Sequence, residues 1–145
     1  MTAKQLNPDI LVISRASEVL SEKKLYLAGA DHVIMPDTLG GIHMAQLITK
    51  PYVIELLDML NGMAEGNEMD LEEVCYTDLK EEMKNKSLKE LDIRNATGVS
   101  IIAYKNGVEN FKFNPGPDKV VGQKDVLILL GKREDIGKFR ELYCV

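Results

Sequence analysis

A chain of 145 residues, 45% hydrophobic and 28% charged, is long enough for one ordinary domain or two small ones and has the composition of a packed core. Its net charge of −5 comes from 23 acidic and 18 basic residues mixed along the sequence, which leaves no basic stripe for nucleic acid. The two cysteines, Cys75 and Cys144, have no CxxC or histidine-rich spacing, so they read as thiols of a reducing cytoplasm rather than as a disulfide scaffold or a zinc site.

No apolar run approaches the roughly 20 residues that cross a bilayer, and MTAKQLNPDI has neither an apolar signal core nor a small-residue cleavage site. A soluble cytoplasmic location is therefore expected, with residues 1–6 as a leader from an internal start. DILVIS is apolar and β-branched, the pattern of a strand covered on both faces in a parallel sheet, and predicts a strand over 9–14. Ser17 or Ser21 can cap the next helix, and Gly29 suits the position just past its end. HVIM gives a second strand, so strand, helix and strand form a βαβ unit. Asp37 or Thr38 can cap a further helix with Met44, Leu47 and Ile48 on one side, and Gly40 and Gly41 in its first turn favour close backbone packing over a ligand site. Pro51 opens a helix over 51–63. Glu55, Asp58 and Asn61 form its one polar stripe, while Val53, Ile54, Leu56, Leu57, Met59, Leu60 and Met63 cover the remaining circumference and demand company on more than one side.

AEGNE, residues 64–68, is small, polar and glycine-containing, and sets the expected boundary between domains 1–63 and 64–145. LEEVCYT predicts a strand, and Ser87 with Glu90 forms a capping box that starts a short helix. VSIIAYKNGVENFKF reads as two strands around Asn106 and Gly107, the dipeptide favoured in a type I′ hairpin turn. VLILLG predicts a buried strand, and REDIGKFRELY a closing helix with Ile136, Phe139 and Tyr143 on one face. The fold class expected is α/β followed by α+β: a truncated Rossmann-like βαβα end, a crossover helix, and a small mixed lobe.

The sequence has no nucleophile elbow, no HExxH and no glycine-rich phosphate loop. His32 and His43 lack partner motifs and read as structural or surface residues. Ser14 and Arg15 fall at the carboxyl end of a predicted parallel strand, where open α/β sheets place ligands, and an arginine there can grip phosphate through its fork of donors. A surface arginine paired with Glu18 is the plainer reading. Asp37 has the same geometric claim, with helix capping as its rival.

PDILVISRASE, LAGADHVIMPDTLGGIHMAQLI, DIRNATGVSIIAY, NPGPD and KDVLILLG, in this order and spacing, resemble the regulator-of-potassium-conductance (RCK) family, the cytoplasmic sensor of prokaryotic potassium channels and of Trk and Ktr transporters. The resemblance covers residues 8–142 and is closest to the channel-linked branch. It implies the end of the nucleotide-binding N-lobe (TrkA-N), a crossover helix, and a complete C-terminal lobe (TrkA-C), with the phosphate loop and the ribose-binding acid outside this chain. NAD or ATP would then bind the complete protein and not this part of it. No metal site is expected: Arg15 and Ser17 stand where some calcium-gated members carry carboxylates.

The resemblance also implies that Val53, Leu56, Leu57 and Leu60 are contacts of a homodimer that assembles into a larger gating ring beside a potassium pore, and that Arg15 and Asp37 face nucleotide or ion once the N-lobe is complete. In the C-lobe it points to Ile93, Arg94, Ser100, Ile101 and Pro115 as an effector site, with cyclic di-AMP among the possible ligands. The expected function is a non-enzymatic, ligand-sensing domain on the cytoplasmic face of the membrane that gates a potassium channel. A peripheral subunit of a Trk/Ktr transporter, or a fragment of a nucleotide-dependent oxidoreductase, are the alternatives.

Overall fold

The computed structural model describes residues 3–62, 66 and 68–145, so Met63 and most of the expected boundary at 64–68 lie outside the described residues. The chain divides into two compact units, 1–55 and 56–145, so that the division falls within a helix.

In the first unit a short helix α1 (Ala3–Leu6) precedes β1 (Ile13–Arg15), α2 (Val19–Leu27), β2 (His32–Ile34), α3 (Pro36–Thr49) and α4 (Pro51–Leu60), the last of which runs into the second unit. Strands β1 and β2 are parallel, in the register Ile13↔His32, Ser14↔Val33, Arg15↔Ile34. The first strand is shorter than 9–14 because a side chain takes over its ladder: Asp31 Oδ2 accepts from the Val12 N–H at 2.8 Å. The other oxygen of Asp31 accepts from Lys4 Nζ at 2.7 Å. That bond, with the one from Val12, holds the carboxyl below its usual range.

Helix α2 ends as the sequence predicts. Gly29 has φ +96°, and Gly29 N–H donates to Tyr26 O while Ala30 N–H donates to Leu25 O. These two bonds make the Schellman closure, which needs a left-handed residue at Gly29. The helix starts are different from expectation. Neither Ser17 nor Ser21 caps α2, whose N-cap is Glu18 without a side-chain bond. Pro36 takes the first position of α3 and displaces the start by a residue or two, leaving Asp37 inside the first turn instead of capping it. Gly40 and Gly41 have no atom within 4 Å of where a Cβ would stand, so among the described residues nothing packs closely on them.

The second unit holds β3 (Met69–Cys75), two 3-10 turns at Tyr76–Asp78 and Glu81–Met83, α5 (Leu88–Leu91), α6 (Ile93–Thr97), β4 (Ser100–Asn106), β5 (Lys112–Phe113), β6 (Asp125–Lys132) and α7 (Arg133–Tyr143). The four strands form one antiparallel sheet in the order β3-β6-β4-β5. Along β6 burial alternates strictly, with Leu127 and Leu129 inward and Val126, Ile128 and Leu130 half-buried on the other face, as a strand of period two requires. Helix α7 lays Ile136, Phe139 and Tyr143 into the same core as Leu127, Leu129 and Val99. The Tyr143 hydroxyl stays satisfied by donating to Leu91 O at 2.6 Å.

The hairpin is not the two-residue type I′ turn expected at Asn106–Gly107. Tyr104 pairs with Lys112 across a longer loop, and only Gly107 of the two has a positive φ. Asn106 stays extended because it is engaged elsewhere: it faces Asp125 in the β4–β6 ladder, and its Nδ2 donates to Asp125 Oδ1 at 2.7 Å.

Candidate functional site

The segment from Ser87 to Ile101 is a sequence of local instructions. Ser87 and Glu90 satisfy each other's backbone N–H groups and start α5. Asp92, at φ +47°, ends α5 and turns directly into α6. Ile93 points into the core and Arg94 out of it. Gly98, at φ +84°, closes α6, Val99 is fully buried, and β4 begins at Ser100. The turn after β5 is brought up alongside by backbone bonds, Leu88 N–H to Lys119 O at 2.9 Å and Lys89 N–H to Pro117 O at 2.9 Å.

The result is an open groove of about 390 Å3 whose lining includes Ile93, Arg94, Ser100, Ile101 and Pro115. The five C-lobe residues singled out from the sequence thus lie along one surface. The structure adds Lys89, Asp92 and Pro117 to it. Pro117 was legible as the second proline of NPGP; Lys89 and Asp92 carried no signal of their own, because one is an ordinary surface lysine inside a capping box and the other an ordinary turn acid. Arg94 and Lys89 make no side-chain hydrogen bond or ion pair among the described residues, so the structural partner that would explain Arg94 away is absent there. An arginine with all its donors available beside Ile93, Ile101 and two prolines can hold an anionic group next to a flat apolar one.

The turn that forms one wall of this groove is itself anchored. Asp125 is 1% exposed and accepts from Lys119 Nζ at 2.6 Å, Asn106 Nδ2 at 2.7 Å and Gly122 N–H at 2.8 Å. Burial alone would raise its pKa; the three donors more than offset that and hold it below the usual aspartate range. Lys119 Nζ also sits 4.4 Å from the centre of the Tyr104 ring.

A larger concavity, about 610 Å3, is lined by Glu73, Asp78, Arg140 and Cys144 among others. It is a poorer candidate on chemistry. Arg140 is already paired with Glu72, the carboxylates of Glu73, Asp78 and Glu141 oppose an anion, and burial pushes the Cys144 thiol up, away from the reactive thiolate. Among the described residues no group of three or more His, Cys, Asp or Glu is gathered as a metal would require, and no helix is long and apolar enough to cross a membrane.

Arg15 and Asp37 belong to the first unit. Arg15 ends β1, exposed, in a separate concavity of about 530 Å3 with Ser17, Ser21 and Lys24. Asp37 is exposed in the first turn of α3, just past the carboxyl end of β2. On α4, Val53, Leu56 and Leu57 are 50%, 49% and 47% exposed, Leu60 is half-buried, and Ile54 is the buried residue.

Residues 79–143 match the family model described as the TrkA-C domain. The chain is 32% identical over 140 residues to Potassium channel protein 1 of Methanocaldococcus jannaschii, covering 97% of this chain and 40% of that protein. It is 26% identical over 132 residues to Ktr system potassium uptake protein A of Bacillus subtilis, covering 91% of this chain and 54% of that protein. It therefore spans between two fifths and about half of these relatives. Among solved structures it resembles the RCK C domain of the potassium transport protein KtrA in complex with cyclic di-AMP, at 30% identity and a TM-score of 0.50, covering 63% of this chain and 95% of that one. A solved domain is matched over 95% of its length and the family model over 79–143, the stretch that carries β4, β5, β6 and α7, and the chain belongs to the TrkA-C family, the C domain of regulators of potassium conductance.

Proposed function

We propose that this chain is a ligand-sensing regulatory domain that gates a potassium channel from the cytoplasmic face of the membrane, and that its effector binds in the groove of Ile93, Arg94, Ser100, Ile101 and Pro115. One observation carries the proposal: Arg94, without a partner among the described residues, lines a groove with an apolar wall, in a lobe 30% identical to a domain whose complex holds cyclic di-AMP. Arginine grips phosphate bidentately, the apolar wall shelters a base, and two copies about a two-fold axis present the pair twice to a symmetric ligand. The output is binding energy that shifts the arrangement of lobes, not bond chemistry. The 32% identity to a potassium channel protein over nearly the whole chain favours the channel; a peripheral Ktr-type subunit is the second reading, supported by the relatives named for that system.

The first unit, within a domain 1–63, is read as the closing part of a Rossmann-like nucleotide-binding lobe followed by the crossover helix. The support is the parallel pair β1–β2 joined through α2, with Arg15 and Asp37 at the carboxyl ends of the strands. NAD or ATP would require a glycine-rich phosphate loop that this sequence does not contain. Titration calorimetry with cyclic di-AMP tests the effector site: the wild-type chain is expected to bind, and Arg94→Ala to bind about tenfold or more weakly, the loss of one charge-assisted contact of roughly 1.5–3 kcal/mol. Absence of heat and of thermal shift in the wild type would remove this ligand; an unchanged affinity in Arg94→Ala would remove the site.

A further inference from the structure

The groove carries two cations and one anion. Lys89 and Arg94 form no ion pair among the described residues, so both charges are available to a ligand. Asp92 lines the same groove between them in sequence, is exposed, and forms no ion pair with either. Its Oδ1 accepts from Asn95 Nδ2 at 2.6 Å, and its backbone is held left-handed, φ +47° and ψ 35°, at the joint of α5 and α6. Aspartate and asparagine tolerate that region better than other non-glycine residues. The backbone at this joint is therefore satisfied equally well by asparagine, and the shape of the turn does not account for a charge at this position.

We propose that Asp92 is a specificity-determining residue that fits the groove to a phosphodiester and turns away a phosphomonoester. Lys89, Arg94 and Asp92 together leave one positive charge in excess. A phosphodiester carries one negative charge and meets it. A terminal phosphomonoester carries about −1.5 to −2 at neutral pH, and its additional charge is repelled by Asp92. At a separation of roughly 6 Å and an effective dielectric between that of water and of the protein surface, repulsion of the additional half to one charge changes affinity by about three- to tenfold. The inference rests on this groove being the effector site, but concerns a selectivity which that reading does not require.

The experiment compares cyclic di-AMP with the linear dinucleotide pApA, which has the same bases and one terminal monoester, on the wild-type chain and on Asp92→Asn. Asparagine keeps the positive φ and the acceptor for Asn95. Asp92→Gly, which also accepts positive φ, removes the charge by a different route and guards against an effect peculiar to the amide. The expected result is a wild-type preference for the cyclic diester and a rise of about three- to tenfold in the affinity ratio of pApA to cyclic di-AMP in both variants. Binding of cyclic di-AMP with that ratio unchanged overturns the role of Asp92 and leaves the effector site standing. Gain of pApA binding in the variants, with no cyclic di-AMP bound by any protein, supports the charge filter and removes cyclic di-AMP as the effector. No binding of either dinucleotide to any of the three proteins overturns both.

Discussion

Asp125 and Lys119 show how a single buried charge can shape a surface site from behind. The carboxylate is fully covered, its three donors come from two places in the chain, Asn106 on β4 and the turn that holds Lys119 and Gly122, and Lys119 belongs to the turn that walls the groove. Lys119→Met leaves that carboxylate buried with its counter-charge gone, which should cost on the order of 3 kcal/mol of stability in urea denaturation. The native pKa of Asp125 is depressed, so its contribution is complete above the unfolded value, near pH 4, and is lost as pH falls through the lower native value. A denaturation series from pH 6 to pH 2 should therefore show wild-type stability falling below about pH 4, with Asp125→Asn losing less over that range. An equal loss in both would assign the acid sensitivity to other carboxylates.

Among the elements, α6 depends on more than its own sequence. It has five residues, too few to persist by propensity alone, and it is held by Ile93 in the core, by the Thr97 hydroxyl donating to Ile93 O at 2.7 Å, and by Gly98 at its end. Gly98 has φ +84°, and a Cβ there would stand 3.0 Å from Asp135 Oδ2 in the first turn of α7. Gly98→Ala thus strains the backbone and pushes on a carboxylate that Lys138 holds at 2.9 Å. A loss of about 1–2 kcal/mol is expected, read as a lower thermal midpoint. Because Arg94 is in the same short helix, cyclic di-AMP affinity should fall in this variant too, whereas an unchanged midpoint would mean that the turn relaxes without strain.

For the molecule as a whole, the apolar surface of α4 asks for a partner. Val53, Leu56 and Leu57 remain about half exposed, and exposed apolar area costs about 25 cal/mol per Å2. A second copy seated on this helix would cover it, and a two-fold arrangement would do so with identical contacts on both sides. Sedimentation is expected to find a dimer at tens of micromolar, roughly the range for an interface of ordinary size. Leu57→Asp should shift the chain to monomer or aggregate without unfolding it, since Leu57 is about half exposed and outside the buried core. A monomeric wild type at that concentration would overturn the assignment of Val53, Leu56, Leu57 and Leu60 as contacts.

What depends on neighbours in sequence was legible in the sequence alone: the buried strand β6, though not its alternation, the Ser87–Glu90 capping box, the glycine stop after α2, and the apolar face of α7. Each rests on a periodicity or a local hydrogen bond that a few consecutive residues specify. What depends on residues remote in sequence was decided only by the tertiary structure. The hairpin lost its two-residue turn because Asn106 is held by Asp125, nineteen positions on, and β1 was cut short because Asp31 occupies the ladder position at Val12. The groove divides along the same line. Ile93, Arg94, Ser100, Ile101 and Pro115 could be named from their motifs, but Lys89 and Asp92 acquire meaning only where the Pro117–Lys119 turn is bonded to the start of α5, because a site charge is defined by what surrounds it in space and not by its own residue type.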